Sequence, residues 1–242
     1  LYPEGPAVCH NVLVHPPSGL VAGDVLDIDV EVASGAQALV TTPGAGRFYR
    51  SDGESAIQKA RLRLAGGARL EWLPLETIYY SGCRAENRLS LELGEGSELI
   101  GWDVAALGLP AAGRPFEQGS VLQEICLGDA WLERGRMEAT DTLLMDGPLG
   151  LAGHRCLATL FLVTGSDLAR ERREQVLTLA RECIAAQDLV LAGATSPHPR
   201  VVVVRAVAPV VEPAMALVKS IRNAWRPALW SQASCLPRTW AL

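Results

Sequence analysis

The residues best suited to metal chemistry are a cysteine and two histidines near the start of the sequence. Cys9, His10 and His15 offer one thiol and two imidazole rings within a short segment. Thiolate and imidazole are good ligands for divalent transition metals, so these residues can form part of a metal site. Their spacing is not that of a closed structural zinc site. The alternative is a core cysteine with two histidines on a strand.

Motifs of the common enzyme classes are missing. The sequence has no GxxxxGK[ST] phosphate loop, no HExxH and no GxSxG. Residues 44–49 approach GxGxxG but lack the third glycine. With four histidines and no evident pairing of nucleophile and base, we expect a protein that is not an enzyme.

The composition indicates a folded, β-rich protein with an aliphatic core. Of its 242 residues, 49% are hydrophobic, and 23 Gly and 15 Pro stand against 3 Phe and 4 Tyr. Frequent Gly and Pro indicate many tight turns. A net charge of −5 gives no positive field for nucleic acid. No apolar run of about 18 residues, the length that spans a bilayer, occurs.

Six dispersed cysteines without a CxxC pair predict reduced thiols packed mostly in the core. We therefore expect a cytoplasmic protein with neither nucleic acid nor membrane as a partner.

A repeated pattern in the first hundred residues indicates how the chain is layered. Three segments show apolar alternation, a turn containing glycine, and a second alternation: residues 30–40, 62–72 and 91–100. The turn glycines Gly35, Gly67 and Gly96 follow one another at spacings of 32 and 29 residues. One unit cannot bury its own apolar face, so stacking is required, as in a β-solenoid or a layered sandwich. An antiparallel meander of similar hairpins fits the pattern equally well.

Two helices are predicted in the C-terminal half. Ser166 is suited to cap a helix over residues 167–187. A second helix is expected to begin near Pro213 and to be stopped by Pro227. Between them, residues 201–204 read as a buried strand. The fold class is therefore mainly β, a β-helix-like stack of short strands with two α-helices in the C-terminal half.

Several blocks of the chain resemble one protein family. Residues 15–24 read HPPSGLVAGD, which resembles the HPPGGIVGGD signature of the UreD (UreH) family of urease accessory proteins. Ser18 and Ala22 stand where the family has glycine. Further blocks match in the same order, at residues 42–45, 48–51, 70–74, 76–77, 101–103, 107–108, 132–134, 150–154, 226–227 and 237–240.

The resemblance implies a single UreD-like domain over residues 1–242, with the native N-terminal segment missing. It also implies assembly with UreF, with UreG through UreF, and with apo-urease subunits. Nickel delivery to urease would be the purpose of that assembly. No tightly bound cofactor is expected, and nickel would be held only transiently.

By the same resemblance, Asp24, Asp103 and Glu133 fall at acidic positions that line an internal tunnel and would pass nickel along it. Isolated carboxylates bind nickel more weakly than thiolates and imidazoles, so the ion can leave again. Each acid also has a structural explanation. Asp24 can fix a turn, Asp103 can be a satisfied buried acid, and Glu133 can pair with Arg134 or Arg136.

Two other functions remain open. The protein can be a scaffold that reshapes urease without conducting nickel, or a hydrolase with Asp24 or Asp103 as general base, which requires a pocket and a perturbed pKa. Trp225, Trp230 and Trp240 are either partner contacts or core residues.

Overall fold

The fold comes from a computed structural model, which describes residues 1–15 and 19–241 and, at Ala241, only the backbone. Strands β1 to β15 occupy, in chain order, Cys9–Val12, Val25–Val32, Gln37–Thr41, Gly46–Phe48, Ala56–Leu64, Arg69–Leu73, Thr77–Tyr79, Cys83–Leu93, Glu98–Leu109, Arg114–Pro115, Gly119–Leu127, Trp131–Glu138, Cys156–Thr164, Leu191–His198 and Val201–Ala208. Helices α1 to α3 occupy Thr142–Asp146, Arg170–Ala185 and Val211–Trp230. Short 3-10 turns lie at Pro110–Ala112 and Arg238–Ala241.

The strands form two facing sheets, and the long helices form a third layer. The smaller sheet has the order β12-β11-β8-β5-β2. The larger sheet has the order β1-β3-β6-β9-β13-β15-β14, with β7 and β10 paired to β9 and β4 paired to β7. Helices α2 and α3 pack on the outer face of the larger sheet, where an apolar cluster joins them to β9, β13 and β15. The prediction of a mainly β fold with two helices in the C-terminal half is confirmed.

The repeat is a solenoid-like stack and not a meander. Strands β2, β5 and β8 pair in parallel, with Val25 opposite Ile57 and Ile57 opposite Glu86. These offsets equal the 32- and 29-residue spacings of the turn glycines. Each turn carries the chain from one sheet to the other, because β3, β6 and β9 pair in parallel in the larger sheet. Gly35, Gly67 and Gly96 adopt φ of 67°, 66° and 68°, a conformation that favours glycine.

The helix boundaries differ from the prediction at both helices. Ser166 does not cap α2, because its hydroxyl accepts a hydrogen bond from the Gly96 backbone at 3.0 Å. The helix begins after Ala169, without a side-chain cap. The short helix α1, which Asp141 caps through its carboxylate, has too few residues for a periodic signal and was not predicted.

Pro227 lies inside α3 and does not stop it. Proline removes one backbone hydrogen bond, and tertiary contacts of the last turn compensate for that loss. The indole of Trp230 donates to Glu98 Oε2 at 2.6 Å, and Arg172 donates to the Leu229 carbonyl at 2.9 Å. Residues 201–204 are fully buried within β15, as predicted.

Two buried arginines of α3 fix both ends of the chain to the larger sheet. Arg222 donates to Glu71 Oε1 at 2.6 Å, and Arg226 lies 3.3 Å from Glu71 Oε2 and 2.5 Å from Glu4 Oε2. Glu71 and both arginines are fully buried. The arginines also donate to the carbonyls of Cys235 and Ala233. No helix of the described residues is both long and apolar enough to cross a membrane.

We predict that Arg222→Met strongly destabilises the protein, because it leaves the Glu71 carboxylate buried with an incomplete set of partners. Removing one partner of a buried ion pair costs about 3–5 kcal/mol. The measurement is the free energy of unfolding of the variant and the wild type in urea. The control is Arg61→Met, which breaks an exposed pair with Asp29 and should leave that free energy nearly unchanged. Equal effects of the two substitutions would contradict the prediction.

Candidate functional site

Polar residues interrupt the apolar inner face of the smaller sheet at one level. Gln58 on β5, Asn87 on β8 and Gln123 on β11 are aligned in register across the three parallel strands. Along each strand, the inward positions on both sides are apolar. Those flanking residues are Ala56 and Ala60, Ala85 and Leu89, and Val121 and Ile125.

The larger sheet has a matching row. Asp103 on β9 pairs with Thr159 on β13, and Thr159 pairs with Arg205 on β15. We call the two rows together the polar layer, consisting of Gln58, Asn87, Gln123, Asp103, Thr159 and Arg205. The layer separates the two apolar clusters that fill the space between the sheets.

Hydrogen bonds connect the two rows at Asp103. Asn87 Nδ2 donates to Asp103 Oδ2 at 2.6 Å, and Gln123 Nε2 donates to Asp103 Oδ1 at 2.9 Å. Gln58 Nε2 donates to Asn87 Oδ1 at 3.2 Å. Two amide donors therefore stabilise a carboxylate that lies between the sheets.

Burial raises the pKa of Asp103 to about 6. The hydrogen bonds from Asn87 and Gln123 lower this pKa, and the negative charge of Glu133 raises it. Burial also raises the pKa of Tyr79 well above its ordinary value, and the negative charge of Asp103 raises it further. Among the described residues, the buried Tyr79 hydroxyl has no hydrogen-bond partner. Asn87 nevertheless lies close enough to this hydroxyl to lower its pKa.

A cavity lies at each end of the polar layer. The first, of about 240 Å³, is lined by Gln58 together with His15, Phe48 and Thr77. The second, of about 280 Å³, is lined by Asp103, Gln123, Glu133 and Thr159, and also by Arg134 and Arg136. The hydrogen-bonded side chains between Gln58 and Gln123 therefore connect one cavity to the other.

The structure places two of the three predicted acids together. Asp103 and Glu133 line the second cavity. Asp24 lies in an exposed turn, where its carboxylate accepts a hydrogen bond from the Val21 backbone at 2.9 Å, and among the described residues it lines neither cavity. Glu133 pairs with Arg205, through Oε1 at 2.8 Å and Oε2 at 2.5 Å, and not with Arg134 or Arg136 as one alternative suggested.

The cysteine and histidines near the start do not form a common site. His10 is buried and bonded to Glu4 at 2.7 Å, while His15 lines the first cavity. Residues 16–18 of the HPPSGLVAGD block, including Ser18, lie outside the described residues. No three His, Cys, Asp or Glu side chains of the described residues form a group that could hold a metal ion.

Two further groups of predicted residues can be placed. All six cysteines are unpaired, and only Cys83 and Cys156 are fully buried, where burial raises the pKa of each thiol to about 12. Trp225 and Trp230 are buried core residues. Trp240 is half-buried against Trp102, with ring centroids 5.7 Å apart.

Sequence reasoning missed Gln58, Asn87, Gln123 and Arg205. A signal for the first three was present, since each is the one polar residue at an inward position of an alternating strand. Gln58 and Asn87 also repeat at the 29-residue spacing of their units. Nothing local to Arg205 indicated that it would meet Glu133, because the two are 72 positions apart.

We predict a stability change with pH that depends on Asp103. The ordinary pKa of 3.8 applies in the unfolded chain, against about 6 in the folded one. Between these two pH values the unfolded state binds fewer protons at Asp103 than the folded state does, so the stability of the folded protein falls as pH rises. From about pH 4 to about pH 7, the wild type should lose roughly 1–3 kcal/mol relative to Asp103→Asn.

The measurement is the free energy of unfolding of both proteins across this pH range, since groups common to both largely cancel in the difference. A difference that stays constant with pH would show that Asp103 titrates normally.

Comparisons with known proteins identify the family. The model of the family described as UreD urease accessory protein matches residues 1–241. A urease accessory protein UreD of Variovorax paradoxus (strain S110) is 61% identical over 242 residues, which cover 100% of this chain and 88% of the relative. The UreD protein of Polaromonas sp. (strain JS666 / ATCC BAA-500) is 60% identical, over 100% of this chain and 88% of the relative. That of Leptothrix cholodnii is 52% identical, over 99% of this chain and 87% of the relative. The chain belongs to the UreD family of urease accessory proteins.

Proposed function

We propose that this accessory protein assembles with UreF, with UreG through UreF, and with apo-urease subunits, and that nickel crosses its interior along the polar layer. The observation that supports the passage is the row of hydrogen-bonded amide and carboxylate side chains between two cavities. The complex would work in the cytoplasm, where thiols stay reduced.

The ligands of the layer suit an ion that must move on. Amide and carboxylate oxygens bind nickel more weakly than thiolates and imidazoles do. Cys83 belongs to the apolar cluster beside the layer, but with a pKa near 12 its thiol stays protonated at neutral pH. Without a cation nearby, Cys83 therefore offers no preformed thiolate to the layer.

A second proposal is a scaffold that reshapes urease without conducting nickel. Two observations favour it. The side chains between Gln58 and Gln123 already bond to one another, and Arg205 neutralises Glu133. On this proposal the polar layer only fixes the two sheets to each other.

A hydrolase with Asp103 as general base would use the raised pKa and the second cavity. The named relatives are accessory proteins, so we place this alternative third. For Asp24, the exposed turn offers no comparable pocket.

Urease activation by variants separates passage from scaffold. We predict that Asp103→Ala and Glu133→Ala each lower activation of co-expressed urease by roughly tenfold, the usual cost of disturbing a metal-binding shell. Asp24→Ala is the control, because Asp24 lies outside both cavities. Urease activity and nickel content are measured after purification with UreF has shown that each complex assembles.

Wild-type activation by both cavity variants, in complexes that assemble, would refute passage and leave the scaffold. If the protein is a hydrolase, the purified wild type should show turnover without urease, and Asp103→Ala should abolish that turnover.

A further inference from the structure

The ion pair of Arg205 and Glu133 connects the polar layer to the edge strand β12 of the smaller sheet. Both carboxylate oxygens of Glu133 are engaged, by Nε at 2.8 Å and by Nη2 at 2.5 Å. Glu133 lies on β12, the last strand of the smaller sheet, and Arg205 lies on β15 of the larger sheet. The pair therefore joins the two sheets beside the second cavity, which Glu133 lines and Arg205 does not.

This pairing has a direct consequence for a cation in the second cavity. A bidentate guanidinium takes the positions around a carboxylate from which a metal would bind. Its positive charge also repels any approaching cation. Asp103, in contrast, is held by two neutral amides, which can rotate to present oxygen.

We propose that Arg205 gates the cation passage, pairing with Glu133 while the second cavity is empty and leaving it when a divalent cation arrives. This inference rests on the proposed passage and adds its regulation. It assigns Arg205 a positioning role, because the residue controls which partner Glu133 has and does not itself bind the ion.

Arg205 has room to leave. Its side chain is 46% exposed, whereas Arg222 in the buried network is wholly enclosed. The residue opposite Arg205 on β14 is Gly193, and no described atom beyond its chain neighbours lies within 4 Å of the place a β-carbon would take there. The guanidinium can therefore turn toward solvent past Gly193 without moving the backbone.

The exchange favours a doubly charged ion. Attraction to a carboxylate grows with the charge of its partner, so a divalent cation can compete with a guanidinium where a monovalent ion cannot. The second carboxylate of the cavity, Asp103, adds to this difference because both acids line the same cavity.

The smaller sheet supplies a matched control for a substitution at Arg205. Arg61 and Asp29 form a bidentate pair with both contacts at 2.9 Å, and Arg61 is 45% exposed. This pair lies on the outer face of the sheet, away from both cavities. Arg61→Gln therefore removes an arginine of similar exposure from a bidentate pair and leaves the polar layer intact, while Arg63 remains 3.4 Å from Asp29.

The test is titration of the purified full-length protein with Ni²⁺ alone, by calorimetry, together with urease activation in cells. We expect Arg205→Gln to bind Ni²⁺ roughly tenfold more tightly, because a competing positive charge is removed, and to activate urease less because the ion leaves more slowly. Arg61→Gln should match the wild type in both measurements. A merely structural role for Arg205 would not increase affinity.

Two other outcomes overturn different parts of the account. If Glu133→Gln weakens Ni²⁺ binding while Arg205→Gln leaves it unchanged, Glu133 binds the ion without a gate and this inference alone is wrong. If Asp103→Asn and Glu133→Gln leave both binding and activation unchanged, the proposed passage is wrong, and the gate with it.

Discussion

Parallel stacking of successive chain units is the constraint on which the rest of the structure depends. Because β5, β8 and β11 pair in parallel, equivalent positions of successive strands lie side by side. One inward polar residue in each strand then becomes a continuous row, and Gln58, Asn87 and Gln123 form it. An antiparallel meander would not set this register through its repeat spacing.

The row requires a partner across the sandwich, since polar groups are costly in a core unless they are paired. Asp103 supplies that partner and accepts from both Asn87 and Gln123. Burial of the carboxylate is reflected in a pKa near 6. The arginines of α3 serve the opposite face of the larger sheet, where complete burial makes their ion pairs permanent. Thus one sheet carries a fully buried charge network on its helix side and the polar layer, with its partly exposed Arg205, between the sheets.

The sequence predicted the fold better than the site. Turn glycines at similar spacings, 32 and 29 residues, predicted repeated units, and alternation predicted which side of each strand is buried. Pro227 was misread, since proline's local cost does not include the contacts that hold the last turn of α3. Among the acids, the alternative roles of Asp24 in a turn and of Asp103 as a buried acid were both recognised, but no local pattern showed that only Asp103 would line a cavity. The pairing of Glu133 with Arg205 depends on how the two sheets close, which no local pattern contains.

The most direct test of a cation-accessible polar layer is anomalous diffraction at the nickel absorption edge, from crystals of the protein with UreF soaked in Ni²⁺. The account predicts an anomalous peak between Asp103 and Glu133, with the Arg205 side chain turned away from Glu133. Peaks confined to the outer surface, for example at Asp27 and Asp29, with Arg205 still paired to Glu133, would contradict it.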